Sequence, residues 1–211
     1  MKARRVKGLD PAAALADNAE RIVAVRLDEL LSFMPRALDP SEVVALHDMR
    51  IAAKRLRYIL EVTADTCFGP YAATALKRTK DVQDLLGEIH DCDEQLPRVL
   101  ALLEELRAAD AREARARASA GTADLDAAHA ASTTHATAWR GLNTLAVHLV
   151  ARRALLFERF LQLWARLQRN AFATRLRYAI EERPAGALTS RSPDGNGSPG
   201  DGALESRARA S

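Results

Sequence analysis

The chain has 211 residues, 48% hydrophobic and 28% charged, a globular composition rather than a disordered or membrane-embedded one. Lys and Arg outnumber Asp and Glu by only 31 to 28, so the net charge of +3 names no partner and the placement of charges must carry any functional reading. No run approaches the roughly 18 apolar residues of a membrane span. The basic start MKARRVKGLD is followed by no apolar stretch, so no secretory leader is expected. Cys67 and Cys92 form no CxxC pair and fit reduced thiols in a cytoplasmic protein.

Helical periodicity dominates, and no β-branched alternation suggests a sheet. A first helix is expected from the cap and proline of Asp10-Pro11 to about Phe33. Pro35 and Pro40 bracket a connector, and Asp39-Pro40-Ser41-Glu42 opens a second helix reaching about Asp65. Phe68-Gly69-Pro70 is a stop and restart. A third helix is expected over about Tyr71 to Leu86, interrupted at Gly87, and a fourth over about Asp91 to Ala109, with Pro97 bending it or marking its first turn. Residues 110–137 are Ala-rich and small, either a solvated helical extension or a linker. Trp139 restarts the core pattern in a helix to about Gln168, a shorter helix covers about Asn170 to Glu182, and 184–211 reads as a disordered tail. The expectation is an all-α antiparallel bundle of about six helices over 1–183.

The second helix reads LHDMRIAAKRLRYILEV. At about 100° per residue, His47, Arg50, Lys54, Arg57 and Glu61 fall within an arc of about 80°. Leu46, Met49, Ala53, Leu56 and Leu60 flank one side of it; Val44, Ile51, Tyr58 and Val62 flank the other. Asp48 and Arg55 occupy a separate polar face, so the helix already has a solvated side. Cations wedged between apolar flanks suffer desolvation and mutual repulsion, and an anion filling the gap relieves both. The opposing reading is internal neutralisation by Glu61 and acids of neighbouring helices. Lys77, Lys80, Asp81 and Asp84 share a face of the next helix and form a mixed second wall. His148, Arg152, Arg159 and Arg166 align at the edge of a later apolar face, where arginines also commonly snorkel. His129 and His135 lie in the Ala-rich stretch and read as incidental.

These residues resemble the CHAD domain, the conserved histidine α-helical domain. LHDMRIAAKRLRYILEV is similar to its signature helix, an H-x-x-R-x-x-x-K-R-L-R-Y pattern carried by His47, Arg50, Lys54, Arg55, Arg57 and Tyr58. LKRTKDVQDLLGEIHDCDEQL is similar to its second block, with Lys77, Gln83, Leu86-Gly87 and Asp91 in place. The resemblance covers about residues 40–100 and extends weakly to the first helix. It implies a helical bundle whose basic cavity binds inorganic polyphosphate, in proteins found alone or beside triphosphate tunnel enzymes and in some cases on polyphosphate granules. Together with the helical-face reading, the candidate site residues are His47, Arg50, Lys54, Arg55, Arg57, Tyr58, Lys77, Lys80, Gln83 and His90, with His148, Arg152 and Arg159 as weaker candidates. The family pattern has two signature-bearing halves, whereas here His148 lacks the K-R-L-R-Y continuation. The cavity is therefore half-basic, or completed by a second copy of the chain in a homodimer.

Polyphosphate carries closely spaced charges without bases. Arg50 and Arg57 can fork two donors onto its oxygens, Lys54 and Lys77 act as point charges, and His47 donates in either charge state. Nothing in this arrangement requires turnover, cofactor or metal, so binding without catalysis is expected. The alternative is a histidine phosphotransfer domain with His47 as phosphoacceptor, although the arginines exceed what one phosphoryl group needs. A metal phosphohydrolase is suggested by His47-Asp48 and His90-Asp91, but helix neighbours point about 100° apart and make poor ligand pairs. Nucleic-acid binding lacks a motif, and aromatics, 5% of the chain, do not interleave with the basic row.

Overall fold

The computed structural model describes residues 2–118 and 124–182, and among them all regular structure is helical. The segment 119–123 and the tail read as disordered lie outside the described residues. Seven helices run in order: α1 Leu15–Leu31, α2 Met34–Ala37, α3 Val43–Cys67, α4 Pro70–Arg117, α5 Ala127–Ala131, α6 Ala136–Arg169 and α7 Phe172–Glu181.

The N-terminal expectation is corrected. Asp10 does accept the backbone N–H of Ala12 at 2.9 Å, but this closes a turn with Ala13 N–H on the Asp10 carbonyl, and the helix begins only at Leu15. Pro35 lies in the single turn of α2, where the sequence predicts only a connector. Asp39 takes both the backbone N–H and the hydroxyl of Ser41, which holds its carboxyl below the ordinary range and fixes the entry to α3. Phe68-Gly69-Pro70 separates α3 from α4 as the chain chemistry requires.

The larger correction is α4. The two helices expected either side of Gly87 are one helix of 48 residues, with Gly87 and Pro97 both inside it. A helix of that length spans about 72 Å. An interior proline costs about 3 kcal/mol through its missing N–H and its clash with the preceding turn. Packing on both sides of it offsets that cost: Leu86, Ile89 and Cys92 before it and Leu103 after it are buried. Gly87 does not end the helix; it lies beneath Arg50 of α3, whose Nε would stand at an ordinary 3.6 Å from a Cβ there.

Helix α3 lies between α1 and α4, with Leu46, Met49, Ala52, Ala53, Leu56 and Leu60 all buried, and its two adjacent alanines admit a neighbour on each side. α6 runs antiparallel along α4. Arg153 pairs with Asp93, Arg152 Nη2 meets Glu88 Oε2 at 2.6 Å, and Arg107 stacks on Trp139 with its guanidinium 5.6 Å from the ring centre. The far end of this hairpin is tied by Asp110, which accepts Thr133 Oγ1 at 2.8 Å, the His135 backbone N–H at 3.0 Å and His135 Nδ1 at 2.8 Å. Burial pushes the Asp110 carboxyl up, but those hydrogen bonds outweigh it and hold it below the ordinary value. His135, read from sequence as incidental, is thus a structural anchor. The Ala-rich stretch begins as an extension of α4 to Arg117. α7 turns back through Ala171, a non-glycine residue at φ 51°, and its Arg177 reaches Asp28 of α1. Both cysteines are free and buried.

Candidate functional site

The antiparallel contact of α3 and α4 carries the cation row. His47 and His90 stand across it with their Nδ1 atoms 3.2 Å apart and ring centres 4.5 Å apart. One ring donates and the other accepts in that contact, and each keeps its Nε2 without a hydrogen bond among the described residues. Three residues along, Arg50 lies over Gly87. Counting on from these two contacts sets Lys54 opposite Gln83, Arg57 opposite Lys80, and Glu61 opposite Leu76. His47, Arg50, Lys54, Arg57, Lys80, Gln83 and His90 therefore share one seam, whereas Lys77 is exposed on the face it shares with Asp84 and lies outside it.

Arg50 Nε, Arg57 Nε and Gln83 Oε1 are buried there without a hydrogen-bond partner. Arg57 Nε lies 3.4 Å from Glu61 Oε1, within ion-pair range but without forming a hydrogen bond. Arg50, Lys54, Lys77 and Lys80 have no carboxylate at ion-pair distance among the described residues. A buried orphan donor costs about 1–3 kcal/mol, so these atoms are set for a partner that brings acceptors. The Gln83 amide presents a donor instead after a half-turn about its last torsion. Tyr58 is exposed, with Arg57 stacked on its ring at 4.7 Å and Lys54 at 5.6 Å. It braces two cations of the row.

Arg55 is corrected. Its Nη1 donates to Glu29 Oε1 at 2.7 Å, while Arg26 Nη1 holds the other oxygen at 2.5 Å, and Glu29 is 1% exposed. Arg55 points to α1 because it sits about 200° round the helix from Arg57. It joins helices and does not belong to the seam. The weaker candidates also fall elsewhere. His148 is exposed, and Arg152 is held by Glu88 and by Cys92 Sγ at 3.4 Å. Arg159 lines a separate cleft of about 350 Å³ between α4 and α6, shared with Arg78, Asp81, Asp84, Glu88 and Arg166. That cleft balances its own charges: Asp81 pairs with Arg78 and Glu88 with Arg152.

A family model for the CHAD domain matches residues 2–100, which contain α1 to α3, every member of the seam and the His47–His90 contact. Residues 2–100 belong to the CHAD domain family. No curated protein matches the chain, and no solved structure does. Within the CHAD segment, His90 is the residue whose role one helix cannot reveal, because only the register across α3 and α4 brings it to His47. Among the described residues no three His, Cys, Asp or Glu side chains are grouped to hold a metal, and no helix is long and apolar enough to cross a membrane.

Proposed function

We propose that this chain binds inorganic polyphosphate in the α3–α4 seam and does not turn it over. The observation that carries this reading is the unbalanced charge: Arg50, Lys54, Arg57 and Lys80 face one seam, and among the described residues only Glu61 approaches any of them as an acid. An extended polyanion supplies acceptors along the whole row, where a single phosphoryl group would serve only its end. Arg50 and Arg57 offer planar forks to non-bridging oxygens, and the lysines add unoriented charge. His47 and His90 present their free Nε2 edges at one end. CHAD membership supports the ligand class. By the same reading the protein collects where polyphosphate collects, on cytoplasmic granules, and a triphosphate tunnel enzyme is a fitting partner.

The test is a titration with labelled long-chain polyphosphate, comparing the wild type with Arg50→Ala/Lys54→Ala/Arg57→Ala. A loss of about a hundredfold or more is expected if each cation contributes about 1 kcal/mol and the orphaned donors somewhat more. A folded triple variant with unchanged affinity removes the assignment. Covalent labelling of His47 by a phosphodonor would instead favour phosphotransfer, and shortening of the chain on incubation would make the protein an enzyme.

A further inference from the structure

We infer that two copies of this chain pair through α6, the outer faces of the two helices lying antiparallel about a two-fold axis level with Leu149. The inference is independent of what α3 binds.

The inner face of α6 is accounted for: Ala146, Leu149, Leu156, Phe157, Phe160 and Leu163 are buried against the rest of the molecule. The outer face of the same stretch is apolar as well. Val147 is 63% exposed, Val150 54% and Leu155 55%, with Ala151 and Ala154 exposed between them. A helix apolar on both faces belongs between neighbours on both, and among the described residues only the inner face is covered.

The spacing on that outer face names the second. Arg140, Thr144, Val147, Ala151, Ala154 and Glu158 follow one another at alternating steps of four and three, the period of a helix-pairing seam. They are also placed symmetrically, nine, five and two residues on either side of Leu149. Against an antiparallel copy of itself this strip sets Val147 on Ala151, Thr144 on Ala154, and Arg140 on Glu158, each contact occurring twice. A parallel copy would set Arg140 on Arg140 and Glu158 on Glu158. Both charged residues are exposed, and neither has an ion-pair partner among the described residues. The small side chains in the middle permit close approach. Beside them an apolar groove of about 370 Å³, walled on the far side by Leu96 and Leu100 of α4, gives the partner's valines a seat.

The experiment is sedimentation equilibrium of the full chain over micromolar concentrations. The wild type is expected at twice the mass of one chain. Arg140→Glu and Glu158→Arg, each alone, should raise the dimer dissociation constant roughly tenfold or more, since each sets two like-charge contacts in place of two ion pairs. An equimolar mixture of the two variants should restore wild-type dimerisation, because in a mixed pair every reversed charge meets its opposite. A wild type that stays a single chain overturns the proposal. So do single variants that remain fully dimeric, or a mixture that fails to restore pairing. All substituted positions are exposed, and the mixture reports pairing even if one single variant is weakened for another reason.

Discussion

Lys54→Ala and Arg55→Ala remove neighbouring cations from one helix, yet the structure gives them opposite consequences. Arg55 is one of two cations on Glu29, a carboxylate 1% exposed, and it donates at 2.7 Å. Stripping a buried pair of one partner costs about 3–5 kcal/mol when nothing remains to compensate. Here Arg26 stays on the other oxygen at 2.5 Å, and Arg55 is itself 25% exposed, so water screens part of the interaction. About 2 kcal/mol is the expected loss, or a fall in Tm of about 4–8 °C for a chain of this size. Polyphosphate affinity should change by less than about twofold, because Arg55 faces α1. Lys54 is exposed and has no ion-pair partner among the described residues, so its removal should move stability by no more than about 0.5 kcal/mol. Affinity should instead fall about fivefold. Four seam cations also imply that log Kd rises with log salt at a slope of about 2.8, by analogy with single-stranded nucleic acid, and each cation removed lowers the slope by about 0.7. Thermal unfolding followed by circular dichroism reads the first quantity, and a polyphosphate titration at 50 to 200 mM salt, concentrations at which such contacts weaken, reads the second. A normal Tm with lost affinity in Arg55→Ala, or an unchanged salt slope in Lys54→Ala, would refute the division of these two residues between core and seam.

Gly87→Ala should stabilise the chain by about 0.5–1 kcal/mol in thermal melts and leave affinity intact, since its Cβ meets Arg50 Nε at an ordinary 3.6 Å. Gly87→Leu fills the place of the Arg50 side chain and should weaken polyphosphate binding about tenfold with helicity unchanged. The Asp110 carboxyl lies below its ordinary 3.8 in the folded chain, so the stability it lends is complete above that value and lost as pH falls through the folded one. Acid unfolding of the wild type should therefore steepen below about pH 4, and Asp110→Asn should flatten that limb. Ala171→Gly relieves a left-handed residue at φ 51° and should raise stability by about 0.5–1 kcal/mol, read as a higher urea midpoint.

Much of the scaffold was legible because its signals are local. The boundaries of α3 follow from Pro40 and from Gly69-Pro70, and its charged arc follows from a period of 3.6. Continuity through Gly87 and Pro97 was not legible, because both are breakers by propensity and only tertiary contact reverses their meaning. Gly87 lies under Arg50 with room for a Cβ at ordinary contact distance, and Pro97 is carried by packing on either side. His90 is a candidate from the sequence, but its contact with His47 needs the register between two helices, which neither helix encodes alone. Arg55 is more instructive. Its place on the helical wheel already separated it from Arg57, whereas the K-R-L-R-Y motif groups the two. The motif marks the segment, and the wheel separates Arg55, which pairs with Glu29, from the arc of Arg50, Lys54 and Arg57 within it.

The acids of α4 explain why the seam stays unbalanced. That helix has carboxylates enough to neutralise α3, yet Glu88 and Asp93 are drawn to Arg152 and Arg153 of α6, Asp81 to Arg78, and Asp84 lines the cleft on the α6 side. α1 spends its buried acid on Arg55 in the same way. Arg152, which aligns with His148, Arg159 and Arg166 in the sequence, and its neighbour Arg153 thus neutralise Glu88 and Asp93 on the α6 side of α4, away from Arg50 and Lys54. The small net charge of +3 is then an average over a cancelled α4–α6 contact and a row of cations left open on the other side. An external polyanion is the partner that such a partition leaves room for.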